Sequence, residues 1–291
     1  MEFFDLPRPV HGPARIAFAF GELGLVLSDI DEALRAGLHG RYGPFCAPNG
    51  GGGSALQVDV RVDERDYFIE PRPGENNPIL LACDGMRVRL LGYCASGWFD
   101  TSGGRGQLVL SRGPYEPDER SAENYIRAAV AWQAASLGGA LVHAASAIHR
   151  GRGYLFYGES GAGKSTLASC DRRADIVSDD LSLVLPGDDG TLDLVGTPFR
   201  GTYQGGEPLV GRAPLAAGFR IVKDERAAIC PVPRLKALAE LVGNLPFVAE
   251  AFEARPDLFD NVERAFREIP LAHLHFRKDD SYWDAIERAG L

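Results

Sequence analysis

The stretch 154–166, which reads YLFYGESGAGKST, constrains this chain more than any other part of its 291 residues. A short apolar run, typical of a buried strand, leads into residues 158–165. That segment fits the pattern G-x-x-x-x-G-K-[ST] of loops that wrap phosphate chains. Gly161 and Gly163 lack a Cβ atom, so the backbone can turn sharply and bring its N–H groups close to an anion. The sequence therefore predicts a phosphate-binding loop between a strand and a helix.

Two side chains of this loop have their own chemistry. Lys164 would place a point charge on the outer phosphates, and Ser165 would offer a hydroxyl to Mg²⁺. We expect the Lys164 side chain to be exposed when nothing is bound. The helix that follows the loop would direct its positive N-terminal end at the anion. The predicted nucleotide contacts are Gly158, Ser160, Gly161, Ala162, Gly163, Lys164, Ser165 and Thr166.

Two adjacent carboxylates follow a second apolar run. Residues 176–177 are typical of a buried strand, and Asp179 and Asp180 come directly after it. A phosphate-binding loop of this kind needs an acid at the end of a neighbouring strand to hold Mg²⁺. Because one acid is enough for the metal, the other could accept a proton, or it could be a solvated turn residue.

Three further positions are candidates from their sequence context. His143 lies in the apolar run 141–148, where a lone histidine is more often a core residue than a functional group. Arg200 lies in a glycine-rich polar stretch and could contact a phosphate or the substrate, or be an ordinary surface arginine. His273 and His275 share one face of a predicted strand, but no third metal ligand is apparent.

Taken in order, His143, the loop 158–165 and the pair Asp179–Asp180 resemble the catalytic domain of HPr kinase/phosphorylase, a bacterial serine kinase. The resemblance covers about residues 140–205. It is nearer to divergent HPr-kinase-like proteins encoded beside peptide-modification genes, including lasso-peptide precursor kinases. It implies an α/β fold with a P-loop kinase core of the HPr kinase/PEP carboxykinase type, and ATP and Mg²⁺ as cofactors.

The resemblance also implies roles for individual residues. Asp179 would be the catalytic base, assisted by His143 and Lys164, while Asp180 and Ser165 would hold Mg²⁺. The roles of the two acids could be reversed. Thr166 stands where the HPr enzyme has an acid, and the acidic signature after its Asp pair has no clear match here, so neither the reverse reaction nor HPr as substrate is implied.

We therefore predict a kinase that transfers the γ-phosphoryl group of ATP to a hydroxyl. The expected acceptor is a serine of a protein or peptide, such as a ribosomally made peptide precursor. Two alternatives remain open. One is a regulatory nucleotide-binding module that hydrolyses its nucleotide slowly, and the other is a small-molecule kinase of the same fold.

The prolines of the stretch 113–118 disfavour both helix and interior strand, which predicts a domain boundary there. Residues 1–113 would form a β-rich domain, serving as a scaffold or recognising the substrate, and residues 114–291 the catalytic domain. In the first, the strict alternation of 56–62 predicts a half-buried strand, and 79–91 a hairpin with its turn at Asp84 and Gly85. An amphipathic helix over 122–135 would lead into the catalytic domain.

Composition excludes several classes of partner. The net charge of −9 argues against a nucleic-acid or anionic-membrane surface. No apolar run approaches the roughly 20 residues of a membrane-spanning helix, and the N-terminus lacks the form of a signal peptide. Five dispersed cysteines without a C-x-x-C motif are typical of reduced thiols, which predicts a cytoplasmic protein. The HPr enzymes are oligomers, so the resemblance allows a homo-oligomer.

Overall fold

Residues 3–47, 55–71, 78–188, 190–203 and 205–291 are described by the structure, a computed structural model of the chain. The chain is a mixed α/β protein, and its contacts separate two units, Met1–Gln133 and Ala134–Leu291. The glycine-rich stretch 49–54, whose composition predicts a loop, lies outside the described residues. Among the described segments, no helix combines the length and apolar character needed to cross a bilayer.

The first unit is built on a mixed sheet with strand order β1-β2-β3-β7-β6-β5-β4. Its strands are β1 (Ala14–Phe20), β2 (Leu23–Ile30), β3 (Leu56–Asp63), β4 (Leu80–Asp84), β5 (Arg87–Leu91), β6 (Ala95–Asp100) and β7 (Arg105–Ser111). Its helices are α1 (Glu32–Tyr42) and α2 (Asp118–Ser136), with short 3₁₀ turns at Phe3–Asp5 and Gly43–Phe45. The alternation predicted for 56–62 is confirmed, because β3 buries every second residue from Leu56 to Val62.

Two predictions for this unit need correction. The hairpin β4–β5 pairs Asp84 with Arg87, so its turn residues are Gly85 and Met86, one position later than predicted. Helix α2 packs on the sheet of the first unit: the buried Tyr125 donates a hydrogen bond to the carbonyl of Trp98 at 2.8 Å. The units consequently divide after Gln133 and not at 113/114, since the apolar face of α2 is buried on the first sheet.

The second unit has a mixed sheet with strand order β10-β8-β11-β12-β13-β15-β14, and β9 pairs with both β8 and β13. Its strands are β8 (Ala140–His149), β9 (Arg152–Tyr157), β10 (Asp175–Ser178), β11 (Leu181–Pro186), β12 (Leu192–Val195), β13 (Arg212–Lys223), β14 (Ala228–Pro231) and β15 (Leu271–Phe276). Its helices are α3 (Lys164–Cys170), α4 (Arg234–Val242), α5 (Pro256–Phe266) and α6 (Tyr282–Arg288), with a 3₁₀ turn at Ala249–Ala251. Strand β13 runs parallel to β9 and β15, so the carboxyl ends of these three strands lie at the same end of the sheet.

The core of the second unit explains why the C-terminal residues fold onto the sheet. Tyr282 and Trp283 are fully buried against Phe156 on β9. The polar atoms of both side chains donate to the buried carboxylate of Asp171, Trp283 Nε1 at 2.9 Å, so burying these large rings leaves no orphan donor. This core fixes α6 beneath β9, the strand that leads into the glycine-rich loop.

Candidate functional site

The glycine-rich loop, residues 158–165, leaves the buried strand β9 and enters α3 at Lys164. Gly158, Gly161 and Gly163 have φ values of +150°, +78° and +116°, a region that other residues occupy only with strain. A Cβ atom on Gly158 would lie 3.1 Å from the Cβ of Ala162. The glycines of the sequence pattern are therefore required by the backbone path that the loop follows.

Lys164 is only 7% exposed, so the prediction of an exposed side chain is wrong. Its ammonium folds back onto the loop and donates to the carbonyls of Gly158 at 2.7 Å and Glu159 at 3.2 Å. Burial lowers the pKa of Lys164, while the charge of Asp180 acts in the opposite direction. The loop thus holds its cation in place before any ligand is present.

The two adjacent acids have different surroundings. Asp179 is 2% exposed, and its carboxylate accepts the backbone N–H groups of Gly201 (2.7 Å), Thr202 (3.0 Å) and Tyr203 (3.0 Å). The Thr202 hydroxyl adds a fourth, longer bond at 3.3 Å. Asp179 therefore fixes the segment 201–203 against the end of β10.

Asp180 lies beside His143 instead. The register of β8 and β11 pairs His143 with Leu181, and His143 Nε2 lies 3.6 Å from Asp180 Oδ1. The His143 side chain is 41% exposed, so this residue is not the core histidine that its apolar surroundings would favour. Its backbone N–H donates to the carbonyl of Asn244 at 2.7 Å, which holds this point of β8 in position.

These groups share one cavity of about 370 Å³ in the second unit. It is lined by His143, Ser160, Gly161, Gly163, Lys164, Ser165, Thr166, Asp179, Asp180, Gly201 and Thr202. Three stretches that are distant in sequence are thus brought together, as the resemblance led us to expect. Of the predicted site residues, Gly158, Ala162 and Arg200 do not line it.

Arg200 is fully engaged elsewhere. Its guanidinium donates to the carbonyls of Ile176, Val177, Gly205, Gly206 and Glu207, at distances from 2.8 to 3.4 Å. Five bonds match the five N–H donors that a guanidinium has. Arg200 therefore joins the segment 205–207 to β10, and this arrangement leaves it no donor for a phosphate.

Sequence reasoning missed two lining residues, Gly201 and Thr202. A Cβ atom on Gly201 would lie 3.2 Å from Asp179 Oδ2 and from the Cβ of Asp180. A larger residue at this position would therefore have to displace the side chains of both acids. The signal available in the sequence was the glycine after Pro198-Phe199-Arg200, but this glycine alone did not indicate which residues it would contact.

His273 and His275 lie on one face of β15, as predicted, but each has its own carboxylate. His273 Nε2 is 2.7 Å from Glu240 Oε2, and His275 Nδ1 is 2.7 Å from Asp224 Oδ2. In the described part of the chain, no group of three or more His, Cys, Asp or Glu residues could hold a metal ion. The two histidines are thus engaged in separate pairs and do not form a metal centre.

The cavity nevertheless suits one kind of cation. Ser165 and Asp180 both line it with hard oxygen donors. Mg²⁺ is usually held by one or two carboxylates, with phosphate oxygens and water completing its shell. This donor set fits a Mg²⁺ ion that arrives with a phosphate ligand, and it does not fit an all-protein metal cage.

No protein-family model matches this sequence, and no curated protein matches it significantly. Function must therefore be argued from the residues and their geometry.

Proposed function

We propose that this chain is an ATP-dependent kinase with an HPr-kinase-like P-loop core, and that it transfers the γ-phosphoryl group to a serine hydroxyl of a protein or peptide. The observation that carries the proposal is the convergence of the glycine-rich loop, both acids and His143 on one cavity of about 370 Å³. A bare phosphate-binding site would need the loop and one acid. The second acid and the histidine supply what a transfer to a hydroxyl requires in addition.

The loop would bind the phosphate chain. Among the described residues, the N–H groups of Ser160, Gly161 and Gly163 have no hydrogen-bond acceptor, and all three residues line the cavity. The Lys164 ammonium uses two of its three donors on loop carbonyls, which leaves one for a phosphate oxygen. A phosphate would thus meet several donors whose positions are already fixed.

Ser165 and Asp180 would hold Mg²⁺ at this site. When bound, the ion neutralises charge on the phosphate oxygens. His143, 3.6 Å from Asp180, would orient that carboxylate from the neighbouring strand.

Asp179 would accept the proton of the attacking serine. Its carboxylate already accepts four hydrogen bonds, three from backbone N–H groups and one from the Thr202 hydroxyl. The hydroxyl bond is the longest, and Thr202 is exposed and lines the cavity. A serine hydroxyl could therefore replace that of Thr202 on Asp179 Oδ2 without breaking the backbone bonds that hold the segment.

The direct test is to incubate the full chain with γ-labelled ATP, Mg²⁺ and a set of serine-containing peptides, and to identify products by mass spectrometry. We expect label on serine, none on peptides with alanine in place of serine, and none with the variant Lys164→Ala. ATP consumption without a phosphorylated product would instead favour a nucleotide-hydrolysing module. Phosphorylation of small alcohols but of no peptide would favour a small-molecule kinase.

A further inference from the structure

The second unit contains another cavity, with a volume of about 680 Å³, which the proposed reaction does not use. Its floor is apolar and includes the buried side chains of Leu215 and Ile269. Its rim carries Leu137, which is 55% exposed, and two exposed arginines, Arg152 and Arg264. We refer to this surface, defined by these five residues, as the arginine groove.

The arginines of the groove are unpaired. Within the described residues, neither the Arg152 nor the Arg264 guanidinium makes a hydrogen bond or a salt bridge. The acid next to Arg264, Glu263, is bound by Arg267, which lowers the pKa of Glu263 more than the charge of Arg264 does. Among the described residues that line the groove, two are cations and one, Glu268, is an acid. Two unpaired cations beside an apolar floor, in a chain whose net charge is −9, favour a ligand that combines acidic and apolar groups.

The groove lies at the far end of the strand that leads to the glycine-rich loop. Arg152 is the first residue of β9, and the loop follows Tyr157 at its other end. At about 3.3 Å per residue, Arg152 and Gly158, the first residue of the loop, are roughly 20 Å apart. An extended peptide needs about six residues to cover that distance.

We propose that the arginine groove binds an acidic, partly apolar segment of the peptide substrate, about six residues away from the acceptor serine. This inference rests on the proposed function for its biological role. The two arginines come from different elements, β9 and α5, which suits a ligand with two separated carboxylates better than a single-headed amphiphile. The groove would supply the affinity and selectivity that a lone serine hydroxyl in a small cavity cannot.

Binding is tested first, without ATP. The probe is a fluorescent peptide of about eight residues that alternates leucine with glutamate, and fluorescence anisotropy measures its affinity for the full chain. We expect binding that weakens with added salt, and a loss of about five- to tenfold in each of Arg152→Glu and Arg264→Glu. A peptide that alternates leucine with lysine should not bind.

Matched variants separate the groove from general charge and hydrophobicity. Arg288→Glu makes the same charge change at an exposed arginine of α6, and should leave the affinity unchanged. Leu137→Ser should weaken binding, whereas Leu235→Ser, at a leucine that is 81% exposed on α4, should not. Equal loss in Arg288→Glu, or no loss in either groove variant, would overturn the proposal. So would binding of dodecanoate, or self-association, that depends on both arginines while the acidic peptide does not bind.

A second measurement distinguishes this inference from the proposed function. The acidic peptide is extended by a linker and a serine, and transfer from ATP is followed at several linker lengths. We expect the groove variants to raise KM without changing kcat. Linkers much shorter than about six residues should remove the decrease in KM that the acidic segment produces. Groove-dependent binding without any transfer would reject the kinase and keep the groove. Transfer that is indifferent to the acidic segment and to both arginines would reject the groove and keep the kinase.

Discussion

Two walls of the cavity are rich in backbone N–H groups, and the walls differ in what those groups bind. In the glycine-rich loop, the N–H groups of Ser160, Gly161 and Gly163 have no acceptor within the described residues. On the other wall, the N–H groups of Gly201 and Thr202, and that of the adjoining Tyr203, all donate to the carboxylate of Asp179. The N–H groups of the first wall are thus available to an anion from outside the protein, whereas those of the second wall already bind the carboxylate of Asp179.

The difference shows why a local pattern can reveal one wall and not the other. The glycine-rich loop is defined by its own residues, because positive φ values and the absence of Cβ atoms are local requirements. The segment 201–203 is defined by a carboxylate more than twenty positions earlier in the chain. The following experiments separate an open anion site from a filled one, in order of decreasing expected effect.

Lys164→Ala should have the largest effect, because it removes the only cation among the residues that line the open wall. We expect loss of nucleotide binding or a decrease in transfer of at least about 10²-fold. Because Lys164 is 7% exposed, the midpoint of thermal unfolding must be compared with that of Lys236→Ala, at an exposed lysine of α4. Transfer like that of the wild type would reject the phosphate role of the loop.

Asp179→Asn should come second. It removes the proposed proton acceptor, for which we expect a loss of transfer of about 10²-fold or more in single turnover. The amide also replaces one acceptor oxygen by a donor, so the N–H groups of 201–203 lose one of their two acceptor atoms. Unfolding should therefore occur at a lower temperature. Nucleotide affinity should be close to that of the wild type. Asp175→Asn, at an exposed acid of β10, the strand that precedes Asp179, is the control.

Asp180→Asn should raise the Mg²⁺ concentration needed for half-maximal transfer. Its effect on stability should be smaller than that of Asp179→Asn, because the Asp180 side chain is 30% exposed whereas Asp179 is only 2% exposed. Titration of Mg²⁺ at fixed ATP measures the Mg²⁺ requirement, and Ser165→Ala should shift the titration in the same direction. If Asp179→Asn changes the Mg²⁺ requirement and Asp180→Asn affects only the chemical step, the roles of the two acids are reversed.

The pH dependence of nucleotide affinity should reveal the buried cation. Burial lowers the pKa of Lys164 below its ordinary value of 10.5, so its charge is present below that lowered pKa and is lost as pH rises through it. Affinity should therefore decrease on the alkaline side at a lower pH than an ordinary lysine would give. A fluorescent ATP analogue titrated between about pH 7 and 10 tests this. Lys164→Arg, which stays charged throughout, should show no such decrease.

Arg200→Lys should have the smallest effect on nucleotide binding. An ammonium cannot replace a planar guanidinium that donates to five carbonyls, so we expect the free energy of unfolding to decrease by about 1–3 kcal/mol. The affinity for ATP should not change in binding measurements at a temperature where both proteins are folded. A specific loss of ATP affinity without a loss of stability would restore Arg200 as a phosphate contact.

Residues that are close together in the chain are sufficient to specify several parts of this protein. The backbone of the glycine-rich loop and the alternation of β3 follow from local rules on Cβ atoms and periodicity. The apolar spacing of 234–242 predicts a helix and the run 271–276 predicts a strand, and α4 and β15 have these bounds. Because proline is tolerated in a first turn and not in a helix interior, Pro256 predicts that a helix breaks or restarts there, and α5 begins at this residue.

The partner of each polar side chain depends on the tertiary structure. In the folded chain, Lys164 donates hydrogen bonds to its own loop and is buried there. Asp179 accepts hydrogen bonds from the segment 201–203, and Arg200 donates to carbonyls of β10. The helical spacing of Leu235, Leu238 and Leu241 predicts that all three belong to a core-facing stripe, but the structure exposes Leu235, and it packs α2 on the first sheet. The physical reason is the same in each case: a hydrogen-bond acceptor or an apolar surface contributed by a distant segment leaves no signal in the local sequence.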